Sequence, residues 1–238
     1  MNLQTRSVSF VFPVYNEEYI IAKTIHSYYN ELKGKLNFEI IAVEDGSTDD
    51  TKRILKDLES ELSIRVYLSE KRKGYLQAIK DSLKYPRYEW VFLVDSDSQF
   101  DPKDFWKLWE YADRYDVILG KKIDRKDGAL RSVLSKGYNF LLRRIFKVSF
   151  EDMDTGFRLI KKSFLDDVAQ KVSYLQFFNA EFVIRVNLAG AKIIEVPVNH
   201  FRRQSGKTNI FYLKKIPAIV TKELIGMYRL FGELKIGK

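Results

Sequence analysis

Asp95 and Asp97 stand two residues apart, directly after the apolar run Trp90-Val-Phe-Leu-Val94, and Asp101 follows shortly behind. In extended backbone, residues two apart project to the same side, so Asp95 and Asp97 aim oxygen donors at one point. Each raises the other's pKa there unless a cation intervenes. A divalent metal resolves that conflict. Oxygen ligands suit Mg²⁺ or Mn²⁺, and an ion held by only one or two carboxylates keeps positions open for substrate phosphates. The same residues also fit a solvated Asp/Ser turn capping a helix that begins near Pro102, because a bare D-x-D is a short motif. The context of the pair therefore decides.

The elements that must position these acids follow from hydrophobic pattern. Val8 to Val14 is a strand, a strand-like run broken by Pro13, and Asn16 is placed to cap a helix over about Glu17 to Leu32. Phe38 to Val43 is a second strand running into Glu44-Asp45-Gly46-Ser47-Thr48-Asp49; Gly46 permits a tight turn, and Ser47 or Thr48 can cap a helix ending near Leu62. Ile64, Val66 and Leu68 alternate as a third strand, and Gly74 opens a helix to about Lys84. Trp90 to Val94, with β-branched and aromatic residues on both faces, is the fourth strand. A helix from Pro102 to about Arg114 and a strand from Asp116 to Leu119 complete a βαβαβαβαβ series. That alternation predicts an α/β fold, a mainly parallel sheet with helices on both faces. Acids then lie at the ends of the second and fourth strands, where open α/β sheets bind ligands. Those positions suit a nucleotide's base or ribose and a metal respectively.

Composition bounds the alternatives. The 238 residues, 45% hydrophobic and 14% aromatic, suit one globular domain plus a tail. The chain has no cysteine, which excludes disulfides, thiolate catalysis and zinc–cysteine sites. No G-x-G-x-x-G follows the first strand and no P-loop is present, which disfavours an ordinary dinucleotide site. A secretory signal is not expected, nor does any apolar stretch reach the roughly 18 residues of a membrane span. His26 and His200 lack partners at metal-ligand spacing and read as structural. The net charge of +9 is unevenly spread: residues 1–120 carry −4, 121–150 carry +7, 151–191 carry −1 and 192–238 carry +7. Both basic segments are rich in Leu, Ile, Phe and Tyr. Between 130 and 146, Leu130, Val133, Leu134, Leu141, Leu142, Ile145 and Phe146 fall at helical spacings with basic residues interleaved, and Ile210 to Leu230 is a second such segment, in which Pro217 should kink or start a helix. Anionic lipid is a better match for them than nucleic acid. Core helices with snorkelling basic residues give the same pattern.

In order and spacing, Pro13-Val-Tyr-Asn-Glu17, Glu44-Asp-Gly-Ser-Thr-Asp49 and Asp95-Ser-Asp-Ser-Gln99 together resemble the family-2 inverting glycosyltransferases of the GT-A nucleotide-sugar fold. Within that family the chain is most similar to polyprenyl-phosphate sugar transferases, the group that includes dolichyl-phosphate mannose synthase. Arg131-Ser-Val-Leu-Ser-Lys-Gly137, Asp154-Thr-Gly-Phe-Arg158 and Arg203-Gln-Ser-Gly-Lys-Thr208 resemble further segments of that group, and the likeness covers about residues 8–210.

The resemblance implies that Pro13, Tyr15, Glu17 and Asp45 contact the nucleotide, and that Asp95, Asp97 and Gln99 hold the metal, Mg²⁺ or Mn²⁺, and the sugar diphosphate. Arg203 and Thr208 would fold over the diphosphate; Arg131 and Ser135, with Lys122, would hold an acceptor phosphate. The chain departs from the family pattern at Glu44, Lys122 and Asn209, and Lys lacks the bidentate fork of Arg. The implied domains are a catalytic unit over 1–208, with an acceptor- and membrane-facing segment at about 121–150, and a basic amphipathic tail over 209–238. The implied reaction moves mannose or glucose from GDP-mannose or UDP-glucose to a polyprenyl or dolichyl phosphate. The enzyme would lie peripherally on the cytoplasmic face of a membrane, with a membrane-spanning partner subunit as an option and no nucleic-acid partner. An alcohol acceptor would need a general base, with Asp154 as first candidate and Glu181 as second. The reading from another class is a non-catalytic peripheral membrane module in which the acidic turns are structural.

Overall fold

The computed structural model describes residues 6–123, 129–172, 178–203 and 216–236. Among them lie strands β1 (Ser7–Val14), β2 (Asn37–Glu44), β3 (Arg65–Leu68), β4 (Trp90–Val94), β5 (Val117–Ile123), β6 (Phe157–Lys161) and β7 (Ile193–Asn199). They form one sheet in the order β3-β2-β1-β4-β6-β5-β7. All pairings are parallel except those of β6, which runs antiparallel to both β4 and β5. The helices are α1 (Ile21–Leu32), α2 (Thr51–Leu62), α3 (Tyr75–Ser82), α4 (Asp104–Trp109), α5 (Ala129–Phe146), α6 (Lys162–Ala169), α7 (Phe178–Leu188) and α8 (Ile216–Ile236).

Strand alternation divides the core between the two faces of the sheet. Val8, Phe10, Phe12 and Val14 of β1 and Trp90, Phe92 and Val94 of β4 pack with Ile21 and Ile25 of α1, Leu55 of α2 and Phe105 of α4. Val11, Val91 and Leu93 enter the other layer with Ile79 of α3, Leu142 of α5, Leu165 of α6, Phe182 of α7 and Leu230 of α8. Phe10 sits at the centre of the first layer, its ring centroid 5.1 Å from that of Phe92 and 4.9 Å from that of Phe105 in tilted arrangements that the ring quadrupoles favour.

Several local expectations are corrected. Pro13 does not break β1, which continues through Val14. The β1–β4 ladder ends at Val11 and Leu93, so the missing N–H of Pro13 leaves no rung unmade. Helix α1 begins at Ile21 and has no side-chain cap. Asn16 instead adopts φ 52° and ties the β1 loop to the β2 loop, accepting from the Thr48 N–H at 2.9 Å. Neither Ser47 nor Thr48 caps α2, whose first residue is Thr51. The expected helix from Pro102 to Arg114 is reduced to Asp104–Trp109, while the last strand of the series runs on to Ile123. Most consequentially, β5 does not pair with β4: β6 is inserted between them.

Candidate active site

Strand parity sends Asp95 toward the face covered by α3, because it continues the series Val91, Leu93. There Tyr75, the first residue of α3, donates its hydroxyl to Asp95 Oδ1 at 2.5 Å. Burial, then the Asp95 charge, raises the Tyr75 pKa well above its usual value, so the phenol stays a donor. Antiparallel pairing brings β6 against the acid from the other side. The Asp95 N–H donates to the Gly156 carbonyl at 3.1 Å. A Cβ on Gly156 would lie 1.9 Å from Asp95 Oδ2, so only glycine fits opposite the carboxylate. Arg158, the register partner of Leu93, is 2% exposed. It donates from Nε and Nη2 to the Thr155 carbonyl and from Nη2 to Asn179 Oδ1. Among the described residues its Nη1 has no hydrogen-bond partner, and the side chain lines a cleft with Pro13, Tyr75, Asp95 and Gly156. Gly156 and Arg158 lie in a segment that the sequence singles out, yet neither was assigned a role; Tyr75 carried no signal at all.

The Asp97 side chain is 16% exposed. Burial, and then the Asp95 charge, pushes its carboxyl up to about 7, against the Gln99 N–H and the Arg203 guanidinium. Asp95 is raised too, chiefly by burial, and is opposed by the Tyr75 hydrogen bond and by Lys122, Arg158 and Arg203. Gln99 donates its backbone N–H to Asp97 Oδ1 at 3.2 Å and its side-chain amide to the Phe201 carbonyl at 2.8 Å. The Phe201 N–H returns a bond to the Gln99 carbonyl, and Phe100 pairs with His200. This short ladder holds the exit of β7 against the end of β4. Arg203 is thereby placed over the acids, donating to Glu17 Oε1 at 2.5 Å and standing 3.8 Å from Asp97 Oδ2. Glu17 is buried, which raises its pKa, while Arg203 opposes the rise. Two carboxyls, those of Glu17 and Asp97, thus share one guanidinium, whose charge also reaches Asp95.

Among the described residues no group of three or more His, Asp or Glu side chains is gathered as a metal cluster. Two neighbouring carboxylates with raised pKa values offer the oxygen donors that Mg²⁺ or Mn²⁺ takes, an ion that keeps positions for phosphate.

At the β1 and β2 ends, Asp45 is buried and both its oxygens are engaged, accepting the N–H groups of Lys73 and Gly74 at 2.7 and 2.8 Å. Glu44 accepts the Ser47 and Ser69 N–H groups and so braces the same turn. Tyr15 is half-buried and carries the Arg72 guanidinium 3.9 Å above its ring. The Pro13 carbonyl accepts the Ser96 hydroxyl at 2.8 Å, joining the β1 and β4 ends.

On the β5 side Lys122 is 3.5 Å from Asp152 Oδ2, and its N–H donates to the same carboxylate. Asp154 is half-buried and carries its charge toward Tyr138 of α5 and Glu223 of α8. The Tyr138 hydroxyl donates to Glu223 Oε2 at 2.8 Å, and burial with the Asp154 charge pushes the Glu223 carboxyl up to about 8. Glu181 is fully buried in α7 and accepts from Arg185 Nε at 2.8 Å. That buried ion pair, extended by Arg185 to Glu233 of α8, gives Glu181 a structural role and not that of the expected base. Arg131 and Ser135 fall on the first half of α5, but their side chains, like Thr208, lie outside the described residues. His26 stands 3.6 Å from Glu61, and the His200 ring packs on Phe100.

A model of glycosyl transferase family 2 matches residues 9–169, more than half of the chain. The chain is a family-2 glycosyltransferase. It is 30% identical over 216 residues to the undecaprenyl-phosphate 4-deoxy-4-formamido-L-arabinose transferase of Pectobacterium carotovorum, covering 89% of this chain and 64% of that protein. The glycosyltransferase thus spans less than two thirds of the length of that relative. It is equally 30% identical over 202 residues to the uncharacterized protein MJ0544 of Methanocaldococcus jannaschii, covering 78% of this chain and 84% of that one. Its fold matches glucosyl-3-phosphoglycerate synthase from Mycobacterium tuberculosis, solved with Mg²⁺ and UDP, at a TM-score of 0.72 with 18% identity over 95% of this chain and 80% of that one. Mannosyl-3-phosphoglycerate synthase from Rubrobacter xylanophilus matches at 0.72 with 13% identity, covering 97% of this chain and 75% of that one. The glycosyltransferase therefore has the GT-A fold.

Proposed function

We propose that this family-2 glycosyltransferase moves a hexose, mannose or glucose, from a nucleoside diphosphate sugar to a polyprenyl phosphate, with inversion at the anomeric carbon. The convergence of Glu17, Asp95, Asp97 and Arg203 at the sheet end carries this reading. The chemistry fits a diphosphate: one guanidinium already spans the acids, and a phosphate oxygen is a better partner for its fork. The relative named as an undecaprenyl-phosphate sugar transferase supports a polyprenyl phosphate acceptor.

In this reading Tyr15 and Pro13 flank the nucleotide, Asp45 holds the 73–74 backbone beside it, and Glu17 releases Arg203 to the departing diphosphate. A Mg²⁺ or Mn²⁺ held by Asp97 with Asp95, and with Gln99 nearby, would neutralise that diphosphate's charge. Arg131 and Ser135, with Thr208 on the donor side, are proposed from the family resemblance alone. Lys122 would reach the acceptor phosphate only by leaving Asp152, so its contribution is a positive field at Asp95 rather than a clamp. A phosphate monoester is already anionic near neutral pH, with a second pKa of about 6, so no general base is required. Electrostatic stabilisation then carries the catalysis, and loss of one such contact costs roughly 3 kcal/mol, about a hundredfold in rate.

An alcohol acceptor is the second reading, and the Asp154–Glu223 pair favours it. In that reading Asp154 is the base; the neighbouring Glu223 carboxyl, pushed up to about 8 by burial and by the Asp154 charge, is neutral and is not.

Location completes the proposal. Helices α5 and α8 pack on each other, and α5 exposes Phe140 and Leu141 while α8 exposes Leu224, Ile225 and Tyr228. Arg144, Lys222 and Arg229 are exposed on the same two helices, and Lys147 is exposed just after α5. This combination suits peripheral binding to an anionic leaflet, the cytoplasmic face in our reading. Among the described residues no helix is long and apolar enough to cross a membrane. The deciding experiment offers radiolabelled GDP-mannose and UDP-glucose with a short polyprenyl phosphate, in Mg²⁺, Mn²⁺ or EDTA. Lipid-extractable label that needs metal and Asp97 is expected; absence of label despite metal-dependent nucleotide binding would move the acceptor to an alcohol.

A further inference from the structure

Tyr75 belongs to neither the sequence motifs nor the acids themselves, yet it is the joint between the two halves of the site. Asp45 at the end of β2 grips the backbone N–H groups of Lys73 and Gly74 with its two oxygens, at 2.7 and 2.8 Å. Gly46, at φ +71°, lets that loop approach: a Cβ there would lie 2.3 Å from the Arg72 nitrogen and 2.5 Å from the Lys71 carbonyl carbon. Gly74, at φ +99°, then turns the chain into α3, and the next residue sets its hydroxyl 2.5 Å from Asp95 Oδ1. That separation belongs to the short, charge-assisted class of O–H···O⁻ bonds. On the far side of the carboxylate, Gly156 leaves no room for a side chain. Asp95 is therefore oriented by a phenol on one edge and a strand backbone on the other. The same loop carries Arg72 onto the ring of Tyr15.

We propose that Tyr75 is a positioning residue: its hydroxyl fixes the Asp95 carboxylate and couples nucleotide contact at the 71–74 loop to divalent-ion binding at Asp95 and Asp97. The inference rests on the reading of that aspartate pair as the metal site. Partners that orient a ligating carboxylate without touching the ion typically account for 10–100-fold in metal affinity or activity. A nucleotide that presses on the 71–74 loop presses, through Tyr75, on Asp95.

The test is calorimetric binding of UDP and of GDP to the full chain, with Mn²⁺ and with EDTA, for wild type, Tyr75→Phe and Asp97→Ala, together with thermal melting. Wild type is expected to bind its preferred nucleotide more tightly with Mn²⁺. Tyr75→Phe is expected to lose about 10–100-fold of that gain while its affinity in EDTA stays at the wild-type value. The readout is a ratio measured on one folded protein, so a modest drop in melting temperature does not enter it. A Tyr75→Phe protein that keeps the full Mn²⁺ gain overturns the coupling, and so does one whose affinity in EDTA falls by the same factor. If wild type and Asp97→Ala both ignore Mn²⁺, the metal reading itself fails, a result distinct from failure at Tyr75 alone.

Discussion

The Asp97 carboxyl, pushed to about 7 by burial and by Asp95, gains a proton in the pH range where it would take up a cation. Proton and metal compete for the same oxygens, so Mn²⁺ affinity should rise as pH rises through about 7 and level off above it. Calorimetry across pH 5.5–8.5, in ~half-unit steps, checks this, and Asp97→Asn should remove both affinity and slope. The sign for stability is the opposite of the usual aspartate case. Because the folded-state pKa is raised above the ordinary value of 3.8, this group favours the fold below that value and loses its contribution as pH climbs through 7. Gly156 gives a second residue-scale expectation. Gly156→Ala must displace either β6 or the Asp95 carboxylate, whose Oδ2 would lie 1.9 Å from the new carbon. Transfer activity should fall by roughly a hundredfold, the scale of one lost electrostatic contact, with the soluble yield retained. Retention of wild-type activity would show that Asp95 has freedom the geometry denies it.

At the scale of elements, polar contacts tie α8 to its neighbours: Glu223 accepts from Tyr138 of α5, and Glu233 accepts from Arg185 of α7. Glu223 is raised to about 8, so the folded protein holds this proton more tightly than the unfolded chain, whose ordinary value is 4.5. Its contribution to stability is present in full below about 4.5 and is lost as pH rises through 8. Glu223→Gln, which cannot ionise, should therefore melt progressively above wild type, by a few degrees, as pH is raised from 6 to 9. Equal shifts at both ends of that range would mean that Glu223 is solvated. The helix boundaries teach a related point. Caps read from Asn16, Ser47 and Thr48 were wrong because these side chains found partners across the β1 and β2 loops, and a tertiary bond to a buried turn outcompetes a local cap.

For the whole molecule, among the described residues, α5 and α8 set exposed apolar side chains beside exposed basic ones. Vesicles containing anionic lipid should therefore retain the protein, and added salt should release it. Leu224→Glu with Ile225→Glu places two charges among the exposed apolar residues of α8. Cosedimentation with such vesicles should fall at least tenfold, while transfer to a short, water-soluble polyprenyl phosphate continues. Binding that survives the double substitution would move the docking surface away from α8.

The sequence alone carried the series of strands and helices through β4, because apolar periodicity is a local property of the chain. It also carried the acid pair, because Asp95 and Asp97 are consecutive with the strand that positions them. The likeness to family-2 glycosyltransferases was equally legible, as Pro13, Asp45 and Asp95 lie in short contiguous motifs. The antiparallel insertion of β6 was not legible. Nothing in Phe157-Arg-Leu-Ile-Lys161 tells it to pair between β4 and β5, since strand order is settled by which edges are left to cover. That insertion places Gly156 opposite Asp95 and buries Arg158 beside it. Only the tertiary structure could bring Tyr75, Gly156 and Arg203, remote from one another in the chain, onto the same two carboxylates, because burial, register and close approach are properties of the packed sheet end and of no single segment.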